Sequence, residues 1–143
     1  MQDPRDIVNT RLVPFSPEQL FRAVAEPERC ARWWGPAGFT NRFLAHDFRE
    51  GGEWRHVMKG PDGTEYPNES RFVRIERPHR IDIEHMEPHF VLQMDFIAEG
   101  AGTRVRWRQR FDTPQVRDRL AAICEPSNEQ NFDRLEAELR AHP

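Results

Sequence analysis

The sequence predicts an α+β fold in which a curved antiparallel sheet of about seven strands wraps around a long carboxy-terminal helix, with two short helices after the first strand. Three observations carry this reading. From Phe39 to Phe111 apolar and polar residues alternate with a period near two, interrupted by turn residues. From Asn128 to His142 the period lengthens, and Phe132, Leu135 and Leu139 fall on one stripe of a helix. Between the first strand and the meander, Ser16 to Trp34 carries the start and stop signals of two helices. A sheet with one apolar face and a helix with one apolar stripe each need a partner, and each can cover the other.

Ile7 to Val13 mixes β-branched and polar residues and reads as the first strand, stopped by Pro14. Ser16 then caps a helix with Pro17 at its first position. Gln19 completes a capping box, Phe15 staples onto Leu20, and Leu20, Phe21 and Val24 form the buried face. Pro27 ends that helix and opens a second, Glu28 to Trp34, which Gly35-Pro36 terminates. Trp33 and Trp34 are adjacent and point in different directions, so one of them is expected at a pocket mouth or an interface.

The strands follow in order. Phe39 to Phe48 leads into a Gly51-Gly52 turn, and Glu53 to Lys59 places Trp54, His56 and Met58 on one face. Pro61-Asp62-Gly63 makes a hairpin, and Glu65 to Glu76 returns, with Pro67 marking an edge position or a bulge. His79 to Met86 aligns Ile81, Ile83 and His85, between turns at Arg77-Pro78 and Glu87-Pro88. Phe90, Leu92, Met94 and Phe96 give the clearest alternation, and Gly100-Ala101-Gly102 turns the chain again. Val105, Trp107, Gln109 and Phe111 then face inward while Arg104, Arg106, Arg108 and Arg110 face outward. Thr113-Pro114 opens a helix with Val116, Leu120, Ile123 and Cys124 on one stripe. Pro126 is expected to separate it from the terminal helix, which Ser127 and Gln130 would start with a second capping box.

The 143 residues fit one domain, 1–143, with a lean core, since apolar residues make up only 37%. The 21 basic and 24 acidic side chains nearly cancel, so no global field recruits nucleic acid. No window approaches a membrane span, and Met1 to Asp6 has no apolar run of a signal peptide, so a cytoplasmic location is expected. Two cysteines are too few for a cysteine zinc site, and Cys30 and Cys124 are read as free thiols on helix faces.

Several stretches, in this order and spacing, resemble the START/polyketide-cyclase superfamily of helix-grip proteins. Within it they resemble the family named for homologues of the activator of the heat-shock-protein-ninety ATPase. The stretches are Trp33-Trp34-Gly35-Pro36, Asp47-Phe48-Arg49-Glu50-Gly51-Gly52 before Trp54, and Met58-Lys59-Gly60-Pro61-Asp62-Gly63-Thr64. They continue with Arg77-Pro78 before Arg80-Ile81, Gly102-Thr103-Arg104-Val105, and Asn128-Glu129-Gln130-Asn131-Phe132-Asp133-Arg134-Leu135. The resemblance covers nearly the whole chain. It implies a cavity between sheet and last helix, used across the superfamily for apolar small molecules. Many relatives have Gly-Trp where this chain has Ser127-Asn128, so an amide replaces an indole at that point.

The expected partner is therefore an apolar or amphipathic small molecule, with no cofactor, no metal and no nucleic acid. A homodimer or a chaperone contact through the Trp33/Trp34 region is the interaction alternative. The expected walls are Trp54, Met58, Phe72, Ile83 and Leu92, continued by Met94, Phe96, Val105, Trp107 and Phe132, with His56, Gln109 and Asn131 as polar fixing points. His56 is the one candidate proton carrier for a cyclase- or hydratase-like enzyme; its plain alternative is a buried histidine bonded to a neighbour. The other inward polar groups, Asn68, Ser70, His85 and Asn128, orient ligands better than they move protons. Asp47 and Arg49 read as turn-fixing, and His85, Glu87 and His89 fall short of the three converging ligands and support a metal needs. The outward arginines are expected to pair across strands with Asp95, Asp82 and Glu84 on a solvated face.

Overall fold

The computed structural model describes residues 2–143. The elements are β1 (Asp6–Val13), α1 (Pro17–Ala25), α2 (Pro27–Trp33), β2 (Thr40–His46), β3 (Glu53–Lys59), β4 (Glu65–Glu76), β5 (Arg80–His85), β6 (Phe90–Glu99), β7 (Gly102–Phe111) and α3 (Pro114–Ala141). The seven strands form one antiparallel sheet in the order β1-β7-β6-β5-β4-β3-β2. Strands β2 to β7 are a continuous meander, and β1 closes beside β7 at one edge.

Local chemistry explains the turns. A Cβ on Gly52 would sit 1.8 Å from the Asp47 carbonyl oxygen, so only glycine lets β3 begin where Gly51 and Gly52 hydrogen-bond Phe72. Pro67 lies where β4 runs past the end of β5, whose pairing starts at Ser70 opposite His85, so its missing donor meets no strand there. The Ser16 capping box is present as read, with Gln19 N–H on Ser16 Oγ and Ser16 N–H on Gln19 Oε1.

The two helices expected on either side of Pro126 are a single helix of 28 residues. Pro126 is on the solvent side and the Ala122 carbonyl it orphans belongs to an exposed residue, so water can take the lost bond. Ser127 is accordingly mid-helix and caps nothing; Gln130 instead accepts the Ala37 N–H. The stripe Val116, Leu120, Ile123 and Cys124 is not core either, since Ile123 is 66% exposed and the other three are half-buried. Burial begins at Asn128 and Asn131 and continues through Phe132, Leu135 and Leu139.

Arg134 joins this helix to the opposite corner. Its guanidinium donates to the carbonyls of Arg32, Trp34, Gly35, Pro36 and Phe39, at 2.8 to 3.1 Å. Burial pulls its pKa down, yet guanidinium stays protonated, so a cation is solvated by main chain in place of water. Gly35 supplies the approach, with a φ of 98° and its Cβ position only 2.6 Å from Met58 Cε.

The outer face carries paired charges. Arg104 meets Glu99, Arg106 lies 3.6 Å from Asp95, and Arg110 forks onto Asp6. Asp82 and Glu84 do not pair with these arginines as expected: Asp82 takes Arg80 on its own strand, and Glu84 takes His89. Arg80 lies two residues from Asp82 on the same strand and His89 lies in the turn just after β5, both nearer than the arginines two strands away on β7.

Replacing Arg134 by Met strips five carbonyls of their donor and is expected to cost about 2–4 kcal/mol in urea unfolding. Arg134→Lys should recover less than half of that, because one ammonium cannot span the fork.

Candidate functional site

A cavity of about 340 Å³ lies between the inner face of the sheet and α3. Alternation on the strands positions most of its walls. Trp54, His56 and Met58 come from β3, Ile83 from β5, Leu92 from β6, and Trp107 and Gln109 from β7; Asn131 comes from α3. These eight of the residues expected at the site line the cavity. Phe72, Met94, Phe96, Val105 and Phe132 do not; they are fully buried in the core cluster with α1. The reason is position along the strand. Leu92 and Gln109 pair at one end of β6 and β7, whereas Phe96 and Val105 pair further along, where side chains from the helices fill the space.

Further residues complete the walls, among them Trp34, the one of the tryptophan pair that reaches the pocket, and the inward Phe90 and Asn128; Gly35, Pro36, Ile123, Cys124 and Ser127 had no such place in the sequence reading. Trp34, Gly35 and Pro36 enter from the loop held by Arg134, and Phe90 from β6. Ile123, Cys124, Ser127 and Asn128 come from the upper half of α3, which carries the cavity roof because the helix is unbroken at Pro126. The inward polar residues Asn68, Ser70 and His85 line it too. Trp33 and Trp34 both turn inward. Trp33 bonds the Ala23 carbonyl through its indole N–H, and Trp34 packs its ring against those of Trp33, Trp54 and Trp107.

His56 stacks on Trp54 with ring centroids 4.8 Å apart and is 2% exposed. Neither of its ring nitrogens has a partner, so it is not the buried histidine bonded to a neighbour that the sequence suggested. Burial first, then the nearby His85 and His46, push its pKa down to about 4, which leaves the ring neutral at pH 7. The indole N–H groups of Trp54 and Trp107 are likewise buried without partners. His85 has an acceptor oxygen 2.8 Å from each ring nitrogen, the Pro88 carbonyl at Nδ1 and Asn68 Oδ1 at Nε2, and a neutral ring donates to only one of them; burial lowers its pKa as well.

His89 lies apart from His85. It bridges Glu84 and Asp112, whose hydrogen bonds raise its pKa. Among the described residues no three His, Cys, Asp or Glu side chains are placed to share a metal ion. Asp47 bonds Arg49 at 2.7 Å beside the double glycine, outside the cavity. Cys30 is buried and Cys124 half-buried, and both are free thiols.

An apolar cleft roofed by the terminal helix and floored by a seven-stranded antiparallel sheet defines a helix-grip protein. The chain belongs to the family described as Activator of Hsp90 ATPase homolog 1-like protein, whose profile matches residues 14–140. Solved structures share the fold at low identity. A protein from Nitrosomonas europaea is 20% identical with a TM-score of 0.90, covering 100% of this chain and 99% of its own. One from Rhodobacter sphaeroides is 23% identical, also at 0.90, covering 100% and 97%. An AHSA1 protein from Silicibacter pomeroyi is 21% identical at 0.78, covering 96% and 99%. No curated protein matches the chain. No helix among the described residues is long and apolar enough to cross a membrane.

A histidine whose pKa is lower in the fold than in the unfolded chain destabilises the fold as pH falls, because the unfolded state takes up the proton first. From pH 6.5 down to about 4, His56 should remove roughly 2–3 kcal/mol of stability. Urea unfolding of the native protein and of His56→Phe across this range should show the steeper pH dependence in the native protein.

Proposed function

We propose that this protein binds a small, mainly apolar molecule in the cavity between the sheet and α3. One observation carries the reading: a cavity of about 340 Å³ has Trp34, Trp54, Trp107, Phe90, Ile83 and Leu92 in its walls and no Asp, Glu, Lys or Arg. Pockets with aromatic and aliphatic walls and a few polar groups, from about 300 Å³ upward, suit small apolar ligands. The fold family is a second support, since helix-grip proteins commonly hold such molecules between sheet and helix.

The polar groups present favour holding over chemistry. His56 is neutral and its nitrogens are covered by neighbouring atoms. Asn68, Gln109, Asn128 and Asn131 are amides, which donate and accept hydrogen bonds without exchanging protons near neutral pH.

The test is thermal. An uncharged naphthalene such as 2-isopropylnaphthalene, at about a hundredfold over its Kd, should stabilise the fold by about 2.7 kcal/mol and raise Tm by roughly 5–10 °C. Cys124→Trp puts an indole into the cavity from the roof of α3 and should abolish the rise while the variant keeps its far-ultraviolet spectrum. A rise of equal size in Cys124→Trp would place the bound molecule elsewhere, and no rise in the native protein would end this reading.

A further inference from the structure

One wall of the cavity has its hydrogen-bond directions dictated from the protein surface. Glu129, on the solvent side of α3, has a carboxylate that only accepts; Asn9 Nδ2 donates to its Oε2 at 2.8 Å and to the Glu125 carbonyl at 3.3 Å. The Asn9 amide therefore cannot turn round, because its oxygen would face two acceptors. Asn9 Oδ1 must accept a hydrogen bond, and Asn128 Nδ2 donates it at 3.0 Å. The same Asn128 nitrogen donates to Gln109 Oε1 at 3.2 Å. The Asn128 amide nitrogen thus donates both ways, to Asn9 and to Gln109, so the orientation that Glu129 imposes on Asn9 is passed through Asn128 and leaves Gln109 with its oxygen taken and its Nε2 left over.

Gln109 is 7% exposed, and no nitrogen or oxygen of the protein accepts from its Nε2. The group beside it is the Cys124 thiol, whose pKa burial raises and the Gln109 amide pulls back; sulfur is a weak acceptor for an amide donor. Asn131, also 7% exposed, repeats the arrangement: its Oδ1 takes the Gly35 N–H at 3.0 Å, leaving Nδ2 as a free donor. Asn128 Oδ1 is the one opposing acceptor of the three amides. No Asp, Glu, Lys or Arg lines the cavity, and burial lowers the pKa of both lining histidines.

We propose that the cavity selects an uncharged, flat apolar molecule that carries a carbonyl oxygen, received by Gln109 Nε2, and that Glu129 is a positioning residue acting on Gln109 through Asn9 and Asn128. This rests on the ligand-binding reading and narrows it to a chemical class. A carboxylate is disfavoured because no cation compensates its desolvation, and a pure hydrocarbon leaves a buried amide donor unpaired. The aromatic faces of Trp34, Trp54 and Trp107 match a flat ring system.

Three probes of one shape separate the outcomes at pH 7.5: 2-acetylnaphthalene, 2-isopropylnaphthalene, which lacks the oxygen, and 2-naphthoate, which adds a charge. Affinities are read from quenching of tryptophan emission, and the ketone's carbonyl stretch from infrared spectra of the bound probe. The ratio of ketone to hydrocarbon affinity should fall about five- to tenfold from native protein to Gln109→Met, the size of one buried hydrogen bond. The carbonyl band, lowered in the native complex, should return toward its position in hydrocarbon solvent. Glu129→Gln, a surface change, should lower the same ratio about two- to threefold and move the band part of the way, with hydrocarbon affinity unchanged. An unchanged ratio and band in Gln109→Met, with the hydrocarbon still bound, overturns the proposal alone, as does naphthoate binding as tightly as the ketone. No binding of any probe to the native protein overturns the ligand reading and this inference with it.

Discussion

The cavity exists because Arg134 holds a loop open. Its guanidinium is not paired with a carboxylate; five carbonyls of the segment from Arg32 to Phe39 surround it. A loop that turns so many carbonyls toward one point needs a cation there, and a cation removed from water needs that many acceptors. The result is a fixed distance between α3 and the end of α2. Trp34, Gly35 and Pro36 stand in the cavity wall at that distance, and Asn131, one helical turn before Arg134, takes the Gly35 N–H.

The same constraint divides the interior in two. Beyond Arg134, toward Leu135 and Leu139, α3 lies on the sheet and Phe72, Met94, Phe96 and Val105 close-pack with α1. Before it, the helix carries Asn128, Ser127 and Cys124, which are too short to reach across, and a space remains. Shape and polarity therefore change together along one helix. The long apolar residues stand where sheet and helix meet, and the small polar ones stand where they part.

Much of this was legible in the sequence. Alternation identified every strand and the inward-facing residues, because a half-buried antiparallel strand has to alternate. Cap and proline signals located α1 and α2. The reading of Pro126 as a break failed because proline's cost depends on whether the orphaned carbonyl meets water, and exposure of Ala122 is a tertiary fact. That error displaced the roof of the cavity, since Ile123 and Cys124 were assigned to a separate helix face. Phe72, Met94, Phe96, Val105 and Phe132 were grouped with the walls for a related reason. Alternation tells which face a residue is on and not how far along the strand the space ends. The role of Arg134 had no local signal at all, because its five acceptors are main-chain atoms about a hundred residues away.

The polar atoms left unpaired call for a physical account. The indole N–H groups of Trp54 and Trp107 and both nitrogens of His56 are buried without partners, at a cost of about 1–3 kcal/mol for each such group. Phenylalanine and leucine would fill similar space without it. These side chains are concentrated where β3 and β7 face the cavity, while Trp33, deeper in the core, has its N–H on the Ala23 carbonyl. The fold can therefore satisfy an indole where it packs solidly. Both ring nitrogens of His46, outside the cavity, are sealed and unpaired in the same way, so these groups are a cost of packing an aromatic interior, and the wall donors left without a nitrogen or oxygen partner are the amide nitrogens of Gln109 and Asn131.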